Sequence, residues 1–230
     1  MKNKFDCIVP YYNEGLKPLD IVNALTKVKS ISKIIAVDDG SDNNLTYLKL
    51  KAKFPQVISI RLKTNNGKAN AVKEGLKYVK AEYVFLVDGD HTNINLNEME
   101  NAIERITNNP EIDMIILRKM EEETIIVSRY FRHDVIFSGE RILRKSDLEE
   151  IYKNNFSDYQ IEMVINTYMM RNKKSVYWMP SSVHSKNKWV KWGWFEGTKR
   201  ALNMFKGFIK YAGWRNFIWQ TLFFCRNKAP

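Results

Sequence analysis

VFLVDGDHTN, residues 84–93, runs an unbroken apolar segment into two carboxylates, Asp88 and Asp90, with a single glycine between them. An apolar run without alternation reads as a strand covered on both faces. The segments around it agree. FDCIVP, KIIAVDD and VISIRL are short and rich in β-branched residues, while LDIVNALTKVK, NLTYLKLKAKF and ANAVKEGLKYVK carry apolar positions at helical spacing. Strands alternating with helices imply an α/β fold: a largely parallel sheet flanked by helices, with right-handed crossovers.

In such sheets ligands bind beyond the carboxyl ends of the strands. Polar residues collect there. PYYNEG follows the first strand, DDGSDNN the second and DGDHTN the fourth, and NNGKANAVKEGL opens the helix that leads into the fourth. Two close carboxylates repel unless a cation lies between them, and hard oxygen donors on a short turn suit Mg²⁺ or Mn²⁺. A solvated Asp-Gly turn is the competing reading. In DDGSDNN, Ser41 or Asp42 is expected to cap the helix starting near Asn44, with Asp38 or Asp39 facing a ligand. NNGKANAVKEGL reads as a helix N-terminus that offers backbone N–H groups and Lys68 to an anion.

The 230 residues, 44% of them hydrophobic, suffice for one sizeable core and one appendage. No stretch approaches the roughly 20 apolar residues of a spanning helix, and Asp6 and Pro10 interrupt the first apolar run, so neither a membrane span nor a signal peptide is expected. A cytosolic location follows. Cys7 and Cys225 sit at opposite ends without disulfide or metal spacing, so Cys7 reads as a small buried hydrophobe. The net charge of +11 is uneven: from Lys186 onward ten Lys or Arg face the single acid Glu196, leaving 27 bases and 25 acids in residues 1–185. That tail also holds five of the six tryptophans, which sets it apart from the body.

Taken together, IVPYYNEG, VDDGSDNN, NNGKANAVKEGL and YVFLVDGD, in this order and at these intervals, resemble the nucleotide-sugar-binding half of the family 2 glycosyltransferases over about residues 4–117. The resemblance implies a GT-A fold, a single Rossmann-like α/β domain. It implies a metal-dependent, inverting hexosyltransferase whose Asp-x-Asp element holds Mn²⁺ or Mg²⁺ against the diphosphate of a UDP- or GDP-hexose. Pro10, Tyr12, Glu14 and Asp39 match positions around base and ribose, Lys68 the segment near the diphosphate, and Asp88 and Asp90 the metal element.

Residues 118–185 are expected to form the acceptor half of the same domain. FSGERILRKSDLEEI resembles a segment of the polyprenyl-phosphate sugar synthases, which implies that Arg141 and Arg144 grip an acceptor phosphate. The competing reading makes them surface bases beside Glu140 and Asp147. DYQIEMVINTYMMRNKKSVYWMP fits a helix and then a strand, with Ile161, Ile165, Tyr168 and Met169 on one helix face. Family members often place an acidic pair eighteen residues before the proline of that strand. Counting back from Pro180 reaches Glu162, preceded by Ile161 rather than an acid. Glu162 is the implied catalytic base, with Asp158 second, and a phosphate acceptor would need none. His184 is the implied third metal ligand. His91 is expected to orient a ligand, with Thr92 an alternative oxygen donor; His133 carries no signal.

In the tail, residues 186–230, Ala201, Leu202, Met204, Phe205, Phe208, Ile209, Tyr211 and Ala212 fall on one half of a helical wheel, and Lys199, Arg200, Asn203, Lys206 and Lys210 on the other. WRNFIWQTLFF follows. A basic, aromatic helix of this kind suits an anionic membrane surface, and a helical pair packed on the domain is the alternative. The implied acceptor is lipid-linked or otherwise phosphorylated, at the inner face of the plasma membrane, in surface polysaccharide or glycolipid synthesis. Nucleic acid is not an expected partner, because the body is nearly neutral and shows no groove-binding or single-strand motif. A nucleotidyltransferase is disfavoured because PYYNEG stands where its Gly-rich, basic opening belongs. A non-catalytic nucleotide-sugar-binding module remains the non-enzymatic alternative.

Overall fold

The computed structural model describes residues 5–91, 94–119, 133–153, 161–182 and 213–230, together with Lys199 and Ile209. Seven strands form one sheet: β1 (Phe5–Tyr11), β2 (Ile31–Asp38), β3 (Ile58–Arg61), β4 (Tyr83–Leu86), β5 (Met114–Lys119), β6 (Arg141–Arg144) and β7 (Val176–Ser181), in the order β3-β2-β1-β4-β6-β5-β7. All pairings are parallel except those of β6, which runs antiparallel to both β4 and β5. The largely parallel α/β sheet expected from the sequence is therefore present. Its second half is threaded into the first, since β6 separates β4 from β5.

The helices are α1 (Lys17–Leu25), α2 (Leu45–Lys53), α3 (Lys68–Leu76), α4 (Leu96–Asn108), the short α5 (His133–Ile136), α6 (Lys145–Tyr152), α7 (Ile161–Arg171) and α8 (213–223). Every residue of β1 is buried. Because successive strand side chains point to opposite faces, Val9 joins Ile21, Leu25, Phe85 and Ile103 in one layer, and Ile8 joins Val37, Val72, Leu86 and Ile165 in the other. Two such layers explain why the strand segments show no polar alternation. Asp6, buried inside this core, is compensated by backbone N–H groups of Lys80 and Ala81 at 2.7 and 3.0 Å.

Two local expectations need correction. The first concerns α2: neither Ser41 nor Asp42 caps it, because the Ser41 hydroxyl accepts from the Asn13 N–H (3.0 Å) and Asp42 pairs with the Asn13 side chain (2.9 Å). Asn43 instead accepts from Leu45 N. The second concerns α7, which is not one-faced. Met163, Asn166 and Thr167 are buried as well as Ile161, Ile165 and Met169.

The covering element is α8. Gln220 and Asn216 donate to the Thr167 hydroxyl at 2.9 and 3.3 Å, Phe217 packs with Ile136 and Met163, and Phe224 and Cys225 enter the α7 layer. Beyond the helix the chain pairs with the outer edge of β7: Trp178 N donates to Asn227 O (3.0 Å) and Ala229 N to Trp178 O (2.9 Å). An edge strand is thereby covered. The end of the chain, from Gly213 on, packs on α7 and β7; residues 201–208 and 210–212, where the basic amphipathic helix was expected, lie outside the described residues.

Phe224 is 5% exposed, so Phe224→Ala is expected to cost about 3 kcal/mol and to lower the melting temperature by about 6–12 °C. A thermal melt indistinguishable from wild type would show that this segment is not docked.

Candidate active site

Two carboxylates end a buried strand here for a reason that starts in the backbone. Beyond Leu86 the chain continues alongside β1: Val87 N donates to Ile8 O and Gly89 N to Pro10 O, both at 3.1 Å. A Cβ on residue 89 would lie 2.5 Å from the Tyr11 Cβ and 2.7 Å from Pro10 O, so only glycine permits the approach. The turn projects Asp88 and Asp90 on either side of it. Pro10, Tyr11, Tyr12, Glu14, Asp39, Lys68, Ala71 and Asp88 to Asp90 then line one cavity of about 270 Å³ at the carboxyl end of the sheet. Every residue matched to the donor and metal elements, Pro10, Tyr12, Glu14, Asp39, Lys68, Asp88 and Asp90, meets there.

Asp39 fixes the far wall. Its carboxylate accepts from Gly67 N at 2.7 Å and Asn66 N at 3.2 Å, just before α3, and so occupies part of the anion-attracting end of that helix. Asp38 instead turns inward, accepting from Ser41 N (2.9 Å) and Arg61 Nε (3.2 Å). Tyr11, which the sequence reading passed over, is 4% exposed, and its phenol pKa is pushed up by burial and by Asp38. It is a neutral hydroxyl at neutral pH.

Lys68 opens α3 and reaches across the cavity. Its ammonium is ion-paired with Asp88 and lies 2.6 Å from Glu162 Oε1, at the start of α7. Burial pulls the lysine pKa down, but Asp88 and Glu162 outweigh it and hold the pKa well above the ordinary value. The charge therefore persists throughout the neutral range. One cation thus joins the metal element to the implied base across 94 positions of sequence.

Asp88, Asp90 and His91 offer ligand atoms that all lie within 4.8 Å of one another. Two partly buried carboxylate oxygens at this spacing fit a divalent ion such as Mn²⁺ or Mg²⁺. His91 has another engagement: it is 2% exposed, and its Nε2 is paired with the buried Glu140. It anchors the Asp-x-Asp turn from below. His184 and Asp158, like Thr92, lie outside the described residues.

The Ser138–Arg141 stretch supports the site. A Cβ on residue 139 would overlap the Asp88 carboxylate and displace it, so the glycine leaves that carboxylate its place. Glu140 holds His91, and the Ser138 hydroxyl donates to Leu117 O at 2.6 Å. Arg141 does not face the cavity as an acceptor grip. Its guanidinium is fully buried and donates to Ser138 O (2.7 Å), Ile136 O (2.8 Å), Asn166 Oδ1 (2.6 Å) and Glu162 O (3.3 Å). Desolvation pulls its pKa down, opposed by Glu162, Asp88 and Glu140 among others. It ties the start of α7, and with it Glu162, to this loop. Arg144 lies away from the cavity: β6 runs antiparallel to β4, so Arg141 stands beside Leu86 and Arg144 beside Tyr83, at the opposite end of the sheet. There it binds Glu82 and the Pro110 carbonyl and stacks over Tyr83.

The family model for glycosyl transferase family 2 matches residues 6–178. The chain belongs to that family. Among curated relatives, an uncharacterized glycosyltransferase, YaiP, from Escherichia coli (strain K12) is 32% identical over 91 residues, 39% of this chain and 23% of that protein. Dolichyl-phosphate beta-glucosyltransferase from Saccharomyces cerevisiae is 30% identical over 112 residues, 44% of this chain and 33% of that protein. The matched stretch is thus about a quarter to a third of those relatives. Among solved structures, glucosyl-3-phosphoglycerate synthase from Mycobacterium tuberculosis, in complex with Mn²⁺, uridine diphosphate and phosphoglyceric acid, superimposes with a TM-score of 0.71 at 13% identity, over 91% of this chain and 78% of that one. This family 2 chain therefore has the GT-A fold.

The two arginines are expected to behave differently. Arg141→Ala removes a buried charged donor shared by three carbonyls and Asn166 and should lower the unfolding free energy by about 3–5 kcal/mol in urea melts. Arg144→Ala, at a partly exposed ion pair, should cost about 1 kcal/mol or less. Equal small losses would return Arg141 to a ligand-facing role.

Proposed function

We propose that this family 2 chain is a metal-dependent hexosyltransferase that moves a sugar from a nucleoside diphosphate to a lipid-linked acceptor, polyprenyl phosphate or glycolipid, at the inner face of the plasma membrane. The observation that carries the reading is the single cavity in which Pro10, Tyr12, Glu14 and Asp39 face Asp88 and Asp90, with Lys68 and Glu162 at its back. The first group provides walls for base and ribose. Asp88 and Asp90 would hold Mn²⁺ or Mg²⁺, which when bound supplies Lewis-acid charge for the departing diphosphate. Among the described residues no helix is long and apolar enough to cross a membrane.

The reaction is a direct displacement. An acceptor oxygen forms a bond to the anomeric carbon as the bond from that carbon to the diphosphate oxygen breaks, and the configuration inverts. The nucleoside diphosphate takes the electron pair. Where the acceptor is a hydroxyl, its proton passes to the Glu162 carboxylate; a phosphate acceptor is already anionic and needs no base. Lys68 holds Glu162 in position and adds positive charge beside the diphosphate.

A thermal-shift panel of UDP, GDP, dTDP and CDP with Mn²⁺, Mg²⁺ or chelator tests the donor site. One nucleotide should raise the melting temperature by about 5–10 °C at 100 times its Kd, only with metal, and not in Asp90→Ala. No shift with any nucleotide would leave a fold without a donor site.

Glu162→Gln separates chemistry from binding. With a hydroxyl acceptor, kcat should fall by roughly 10²–10⁴-fold while the nucleotide shift is retained. An unchanged kcat would assign the acceptor to the phosphate class or the base to another residue.

A further inference from the structure

We infer that the outward face of α8, residues 213–223, is the surface on which this protein lies against an anionic lipid bilayer. The inference deepens the membrane part of the proposed function and rests on that reading. Helix geometry divides α8 into two halves. Phe217, Gln220 and Thr221 turn inward and are buried; Arg215, Ile218, Trp219, Leu222 and Phe223 occupy the outer half, and Trp214, in the first turn, lies on the inner side of the helix yet is exposed. Trp214 is 66% exposed, Trp219 57%, Phe223 57% and Leu222 39%. Trp219 and Phe223 are in ring contact, with centroids 4.5 Å apart and planes tilted by 42°.

Elsewhere among the described residues exposed large apolar side chains are scattered, but five of the ten belong to this part of the chain, from Ile209 to Phe223. A contiguous exposed apolar patch marks an interaction site. Its chemistry selects the occupant. Tryptophan and phenylalanine beside Arg215, Arg226 and Lys228 match the boundary between headgroups and acyl chains. A cleft of about 410 Å³ opens beside the stripe, between Met169, Met170 and Lys173 on one side and Trp219, Phe223 and Arg226 on the other, with room for a phosphate headgroup among bases. A second copy of the chain is a poor occupant, since both surfaces would bring basic rims and each molecule carries a net charge of +11.

From Phe217, which packs on Met163 next to Glu162, α8 runs to Phe223 at the cleft that Lys173 and Lys174 line, so the stripe extends along the domain away from the end that carries Glu162.

The test is co-sedimentation of the full chain with vesicles of phosphatidylglycerol and phosphatidylcholine, and with phosphatidylcholine alone, comparing wild type with the double variant Trp219→Gln/Phe223→Gln. Both side chains point outward, so the variant should melt like wild type and keep its nucleotide shift. Its partition onto phosphatidylglycerol vesicles should fall by roughly tenfold or more, and wild-type binding should weaken in high salt and on phosphatidylcholine alone. Equal binding of wild type and variant overturns the assignment, as does wild type that stays in the supernatant, or a variant whose only change is lost self-association or lost oligonucleotide binding. The nucleotide shift, scored on the same samples, fails independently if the donor site is misread.

Discussion

Carboxylates crowd the carboxyl end of this sheet: Asp38, Asp39, Asp88, Asp90, Glu140 and Glu162 all reach it, and the surrounding structure is organised by their repulsion. Two like charges about 4 Å apart repel by about 4 kcal/mol at the effective dielectric of a protein surface, several times the worth of an ordinary exposed ion pair. Most of these acids are therefore matched by a donor or a base. Asp39 takes backbone N–H groups before α3, Asp38 takes Arg61, Glu140 takes His91, and Asp88 shares Lys68 with Glu162. Arg141 lies beneath them, fully buried, and supports the loop and helix that carry two of the acids. A divalent ion held by Asp88 and Asp90 would enter a field of carboxylates, and a diphosphate bound beside it would meet the Lys68 ammonium.

How much of this was legible in the sequence depends on where each signal lies. The strands β1 to β4 could be read because strands buried on both faces are continuous apolar runs, and VFLVD or FDCIVP has few other uses. β6 could not. RILR is four residues long with a charge at each end, and it gave the appearance of a basic acceptor segment. The rule that arginines stay at the surface failed at Arg141 because Ser138 and Ile136 carbonyls, Asn166 and Glu162 satisfy its donors, and those partners are assembled only by the tertiary fold. Likewise the helical period of α7 misled, since a partner more than forty positions away in sequence covers its other face.

The site divides along the same line. Donor-side residues follow strands directly, so strand order alone brings PYYNEG, DDG and DGD together. The Lys68–Glu162 pair joins residues 94 positions apart, and only the antiparallel insertion of β6 sets α7 across from α3. Gly139 had a local signal, a glycine between Ser138 and Glu140, yet its reason is a close approach to Asp88 that no local pattern discloses. His91 shows the converse case: its position beside Asp90 invites a ligand role, and burial against Glu140 gives it an anchoring one.

The end of the chain shows why hydropathy alone underdetermines a helix. α4 is an ordinary covering helix, with Met99, Ala102, Ile103 and Ile106 inward and Asn97, Asn101, Glu104 and Asn108 exposed. α8 has no such outer face. Its inner side carries Gln220, which donates to Thr167, and Thr221, whose hydroxyl donates to the Phe217 carbonyl, while tryptophan, leucine and phenylalanine look outward. A helix that faced only water would gain from the reverse arrangement, because apolar area left in water forgoes about 25 cal/mol per Å² of stabilisation. Docking on α7 explains Phe217 and the polar inner contacts and leaves the outer aromatics unexplained. An outer environment that is itself part apolar and part anionic accounts for both those aromatics and the bases beside them.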